Sequence, residues 1–302
     1  MSTDTIPGQT VTQTTNNSKV IIDRFGPGDY ETNGITPVGG NVIDQIWNST
    51  NISLNVTLTL PPDTAISGFN VLDGWSRFYN DQSSNVTSHG TNGLQLNALT
   101  LEVWTKVQSA DTYDGVVAYG EAVGGNESGY GFVYYNGLWR FFLVTENMTE
   151  NAWESNPATS IQNGVWTHLA GTYDGQVIKI YKNGIAVDSL NLNQTGNVDY
   201  AHVSLTQFFI GKFKNDASFN YFHGQVSEVR VWNYARSQAE ISGFRSWTLN
   251  GDETGLVSYW KMAEGTGTVL TDNTGNSNGT CPASGWMNNA PPTLINPELL
   301  EP

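Results

Sequence analysis

The stretch Gly164–Asp188, GVWTHLAGTYDGQVIKIYKNGIAVD, decides the fold. Within Val165–Tyr173, Trp166, His168 and Ala170 alternate with Val165, Thr167 and Leu169, which is the period-2 spacing of a β-strand. Asp174-Gly175 follows, then Val177–Lys182, then Asn183-Gly184, then Ile185–Val187. Asp-Gly and Asn-Gly tolerate positive φ at the centre of a tight turn, so the strands that flank them pair antiparallel. The stretch is a three-stranded meander, and the chain reads as all-β.

Short strand-like runs continue on both sides of it. Upstream they are Phe69–Leu72, Gly93–Leu96, Leu99–Lys106, Val116–Tyr119, Gly131–Tyr135 and Trp139–Val144, with Asn136-Gly137 as a further turn. Downstream come Ser204–Ile210, Gly224–Trp232, Leu256–Lys261 and Gly267–Leu270. Such spacing means a sandwich or jelly roll. One helix is expected over Ser237–Phe244, where Ser237 is the N-cap and Glu240 completes a capping box. Near the start, Val20–Phe25, Val42–Trp47 and the strictly alternating Ile52–Leu60 are strand candidates, and Pro61-Pro62 ends the last. Residues 1–62 are thus an arm and extension acting in assembly or attachment, 63–283 the jelly roll, and 284–302 a tail.

Thirty-two Gly and thirty-five aromatic residues suit strands joined by turns and do not suit a helical protein. A formal charge of −15 excludes a nucleic-acid partner, whose phosphates need a basic surface. It also suits solubility, or carboxylate-rich loops that hold Ca²⁺. Cys281 is the only cysteine, so no intrachain disulfide forms. No run is long enough to insert in a membrane, and Met1–Asn17 has neither the basic nor the apolar region of a secretion signal. The expected location is extracellular or on a particle surface, reached without a classical signal.

Four segments together resemble the laminin-G-like branch of the concanavalin A-like jelly rolls: Leu99–Lys106, Gly164–Asp188, Gly224–Arg236 with the helix start after it, and Gly255–Thr280. The resemblance implies two stacked antiparallel sheets, frequently a Ca²⁺ at the sandwich edge, and members that bind glycans or proteins; some relatives are glycosidases. The GLVSYW segment from Gly255 often opens such a domain but here closes it, and is expected to pair back onto the same sandwich.

Glycoside hydrolysis needs two carboxylates flanking the bond. The acidic residues on candidate strands, Glu102 and Glu228, are solitary, and the four His share no metal-ligand spacing. Catalysis is not expected. His168, which matches a His position of the resembled family, is read as a hydrogen-bonded structural residue. Asp272, Asn273, Gly275, Asn276 and Asn278 place several oxygens on one loop, which suits a Ca²⁺ shell. In the resembled family this loop can meet an acidic residue of the strand matching Gly224–Trp232, here Glu228. The metal set is then Asp272, Asn276 and Glu228; the other reading is an Asx-turn in which Asp272 and Asn276 bond their own backbone. Sugars are held by aromatic faces and by Asn, Asp and Gly groups. Trp75, Tyr79, Trp153, Phe219 and Tyr221 lie in loops rich in these residues and are the candidate ligand platforms, whereas Trp104, Trp166, Trp232 and Trp260 are core.

The reading is a non-enzymatic recognition module that binds a glycan or a cell-surface protein, in a homo-oligomer. The alternative is a structural subunit of a virion, tail fibre or surface filament.

Overall fold

A computed structural model describes residues 93–288 and Pro291, apart from 111–112, 124–125, 150–151, 202–206 and 217; before residue 93 it describes only the backbone of six short strands. The chain divides into two compact units, residues 1–70 with 294–302, and residues 71–293. In the first, β1 (Lys19–Val20) pairs parallel with β4 (Ala65–Ile66), and β2 (Tyr30–Glu31) antiparallel with β3 (Gly34–Ile35). The expected strands Val42–Trp47, Ile52–Leu60 and Phe69–Leu72, and all of Val20–Phe25 but its first residue, lie outside the described residues.

The second unit is a sandwich of two sheets. Its strands are β5 (Ser76–Tyr79), β6 (Val86–Ser88), β7 (Leu99–Ser109), β8 (Tyr113–Val123), β9 (Asn126–Tyr135), β10 (Leu138–Leu143) and β11 (Ala158–Thr159). The meander follows as β12 (Thr167–Tyr173), β13 (Val177–Lys182) and β14 (Ile185–Asn191). Then come β15 (Phe209–Ile210), β16 (Lys212–Asn215), β17 (Ser218–Tyr221) and β18 (His223–Trp232). Last are helix α1 (Gln238–Phe244), β19 (Leu256–Trp260), β20 (Val269–Leu270), β21 (Gly279–Thr280) and β22 (Trp286–Met287).

One sheet runs β14-β13-β12-β7-β18-β5-β22 with β19 on β18; the other runs β11-β10-β9-β8-β15-β6-β21-β20, with β16 and β17 against β8. The Gly255 segment does pair back: Val229 faces Trp260 in the first sheet, and β20 joins the second through β21. Between the sheets lies the core, from Leu101, Val103, Leu169, Ile178 and Ile180 on one side to Tyr119, Tyr130, Phe132, Trp139 and Phe141 on the other.

Local chemistry explains the turns. Asn136 and Asn183 have φ of 51° and 52°, each followed by a Gly at 82°, as a two-residue primed turn demands. At Asp174-Gly175 only Gly175 has positive φ; the Asp174 carboxylate accepts from the N–H of Gln176 and Val177 and builds an Asx-turn instead. The helix begins as expected, with both halves of the Ser237–Glu240 capping box formed.

Two expectations fail here. Gly93–Leu96 is not a strand: the Tyr200 hydroxyl bonds both the N–H and the C=O of Leu96, so no ladder partner is needed. Trp166 is half-exposed and not core, because it precedes the first paired residue of β12. The alternation in β12 also does not mark a wet face, for all seven of its residues are buried. Residues 233–249 fold over the outer side of that sheet, where Ala170 and Tyr181 pack on Ile241 and the Trp104 indole N–H donates to the carbonyl of Arg245.

Candidate functional site

The covered outer side holds the acidic residues of the candidate strands. Glu102, His168, Glu228, Arg230 and Arg236 are all buried. Arg236 Nη1 donates to Glu102 Oε1 at 2.5 Å, and His168 Nε2 lies 3.2 Å from Glu102 Oε2. Arg230 Nη2 donates to Glu228 Oε2 at 2.6 Å, which also accepts from the Tyr259 hydroxyl at 2.6 Å. Burial by itself would raise the Glu102 carboxyl; Arg236, and then His168, more than offset it and hold the pKa at about 2. Burial lowers the His168 pKa, and Glu102 only partly restores it. His168, read as a hydrogen-bonded structural residue, is buried with its Nε2 beside the Glu102 carboxylate. Both glutamates are bound to arginines and buried beneath residues 233–249.

Of the two readings, the Asx-turn forms at Asp272 but not at Asn276. Asp272 Oδ1 accepts from the N–H of Tyr259 and Thr274 and from the Thr274 hydroxyl, and Oδ2 from the N–H of Ser277. Asn276 donates its amide to the carbonyl of Val257. Glu228 is joined to this loop through Tyr259, whose N–H serves Asp272 and whose hydroxyl serves Glu228. A cation at Asp272 would have to share Oδ2 with the Ser277 N–H, because Oδ1 already accepts three donors. Among the described residues no three His, Cys, Asp or Glu side chains gather as a metal site.

Of the five aromatic platforms, Trp75 lies outside the described residues, and of Tyr79 only the backbone, on β5, is described. Trp153 is buried, which corrects its assignment as a platform. It sits in a 3-10 helix, Ala152–Ser155, and packs edge-on against Phe142 (5.2 Å between centroids) and Tyr113 (6.2 Å) on the outer side of the second sheet.

Phe219 and Tyr221 are brought together. The segment read as a loop, Gly211–Phe222, is a hairpin: Lys212 faces Tyr221, Lys214 faces Phe219, and Asp216 supplies a positive φ of 50° at the turn. Residues directly opposite share a face. One face therefore carries Lys212, Lys214, Phe219 and Tyr221, and the other Phe213, which packs under the hairpin with Phe142 and Trp153. Phe219 and Tyr221 are half-exposed with centroids 6.2 Å apart. Lys212 Nζ lies over the rings of Phe219 (4.5 Å) and Phe209 (4.8 Å), and its burial lowers the pKa to about 8. Lys214 is paired with Glu121 at 2.7 Å. Phe209, Lys212 and Lys214 were not singled out in the sequence. Their signal was the spacing K-x-K-(x)4-F-x-Y about Asp216, a period of 2 on both arms.

The model of the concanavalin A-like lectin/glucanases superfamily matches residues 80–242, more than half of the chain. The chain belongs to this superfamily. Mouse and human pappalysin-1 are 35% and 30% identical to it over 102 residues. That match spans 33% of this chain and only 6% of each pappalysin. Among solved structures, a candidate carbohydrate-binding protein of Bacteroides ovatus superposes with a TM-score of 0.57 at 19% identity, covering 82% of this chain and 69% of its own. A Trypanosoma rangeli sialidase reaches a TM-score of 0.35 at 15% identity over 48% of this chain and 22% of its own, too slight a likeness to argue from. None of these named relatives is a virion or fibre subunit, and the structural-subunit alternative gains no support from them. No helix among the described residues is long and apolar enough to cross a membrane.

Proposed function

We propose that this member of the concanavalin A-like superfamily is a non-enzymatic carbohydrate-binding module, and that the hairpin face bearing Phe219 and Tyr221 receives the sugar. The observation that carries the reading is the pairing of two half-exposed rings side by side, with Lys212 held across one of them. Rings so placed offer flat apolar faces to sugar C–H groups, and the hairpin's hydrogen bonding fixes them before a ligand arrives. The fold shared with the candidate carbohydrate-binding protein of Bacteroides ovatus supports the ligand class. The absence of catalysis is supported by Glu102 and Glu228, each tied to an arginine and buried, an arrangement unlike two carboxylates facing a cleft.

Calorimetric titration against a panel of plant, fungal and animal polysaccharides tests the proposal. Phe219→Ala and Tyr221→Ala are each expected to weaken binding at least tenfold, about 1.4 kcal/mol. Unchanged affinity in the double variant would move the site elsewhere. The same panel should release no reducing sugar above blank, and release by the wild type would make the protein an enzyme.

A further inference from the structure

A depression lies on the opposite sheet, between the edge strand β14 and the chain leading into α1. It is a groove of about 850 Å³, within the range of small-ligand sites. Its walls include Asp174, Lys179, Asp188, Tyr234 and Gln238.

Tyr234 is a fixed ring. Its hydroxyl donates to Glu240 Oε1 at 2.9 Å, and its edge meets Trp232 with centroids 6.2 Å apart. Gly255 lies against it with φ +85°, and a Cβ there would fall 2.7 Å from Tyr234 Cε1. The half-exposed ring is therefore wedged before any ligand arrives. The side chain of Lys179, half-buried in the wall, has neither ion pair nor hydrogen bond among the described residues. Asp174 engages the backbone through Oδ1, which leaves Oδ2 open.

The lining also says what does not fit. Three carboxylates, of Asp174, Asp188 and Glu240, face two cations, Lys179 and Arg236, and Arg236 is already bound to Glu102. An anion is repelled. The edge of β14 is also a poor template for an added strand, because two of its N–H groups are taken: Ala186 donates to Gln238 Oε1 and Ser189 to Asp188 Oδ1. Neutral hydroxyls, which accept from Lys179 and donate to Asp174 while a sugar ring lies on Tyr234, meet every condition.

We infer that this groove is a second binding site, for a neutral saccharide, independent of the hairpin face. Amide chemical-shift mapping of the full chain tests it, with cellohexaose, mannohexaose, xylohexaose and laminarihexaose as probes. Polygalacturonate and a β-strand-forming peptide serve as controls. At least one neutral hexaose should move Lys179, Ser189 and Gln238. Lys179→Met, and separately Gln238→Ala, should weaken that response at least tenfold, and Phe219→Ala should leave it unchanged. Shifts confined to residues 212–221 would overturn the groove and leave the proposed function standing. A groove response to polygalacturonate or the peptide but to no neutral hexaose would also overturn it. If no probe moves either region, both readings fall.

Discussion

Arg236→Met is expected to destabilise the folded protein by about 3–5 kcal/mol, because it leaves the Glu102 carboxylate charged and buried without its partner. Glu102→Gln should cost about as much, since it strands Arg236 under the same cover. The double variant should lose much less than the sum of the two, for a buried pair removed whole carries no uncompensated charge. Denaturant midpoints of the three variants measure this, and simple additivity would mean that the two groups are not coupled. The network also sets acid stability. The folded Glu102 pKa of about 2 lies below its ordinary 4.5, so the unfolded chain takes up the proton more readily. That contribution, about 3 kcal/mol, is complete above pH 4.5 and disappears as the pH falls towards 2. His168 acts in the same direction. Its pKa is lowered by burial, so the unfolded chain binds its proton first and stability begins to decline below about pH 6.5. Urea midpoints at pH 7, 5 and 3 should fall steadily in the wild type and more shallowly in Glu102→Gln between the last two. Parallel profiles would show that Glu102 is not the group responsible.

The second large effect is expected at Asp272. One buried carboxylate holds three backbone N–H groups and a hydroxyl, and each buried donor left unsatisfied costs about 1–3 kcal/mol. Relaxation recovers part of that, so Asp272→Ala should lose about 3–5 kcal/mol. Asp272→Asn keeps one acceptor oxygen and should lose roughly half as much. A calcium site makes a different demand: a cation bound only to the folded state would add about 2.7 kcal/mol at a hundredfold excess over its Kd. We expect EDTA and added Ca²⁺ to leave the wild-type melting temperature unchanged. A melting temperature that falls with EDTA and recovers with Ca²⁺, but does neither in Asp272→Ala, would restore the metal at this loop.

The meander shows why some of this was legible and some was not. Asn183-Gly184 sets its turn within two residues, and β13, read as Val177–Lys182, has those same bounds in the fold. The capping box at Ser237 is equally local, since its two partners are three residues apart. Phe219 and Tyr221 share a face only once Lys212 and Lys214 pair with them across the hairpin, a pairing that no Asn-Gly or Asp-Gly turn announces. Trp153 could not be placed in the same way. An aromatic residue in a polar loop is equally suited to stack on a ligand or to dock on the sheet beside it, and only the arrival of Phe142 and Phe213 beneath it decides.

By itself the sequence determined the elements whose causes are local: strand period, Asn-Gly turns, the helix cap, the all-β class and the family resemblance. Tertiary structure alone decided which polar groups meet. Glu102 and Arg236 are 134 positions apart and look like two unrelated surface charges until residues 233–249 cover the sheet and remove the water between them. The same cover turned the alternating strand β12 into one buried on both faces. The groove joins β14 to Tyr234, a ring that Gly255 leaves room for from a distant part of the chain. Backbone periodicity is a property of neighbours along the chain. Desolvation, and the ion pairs and pockets that follow from it, depends on which distant segment happens to lie on top.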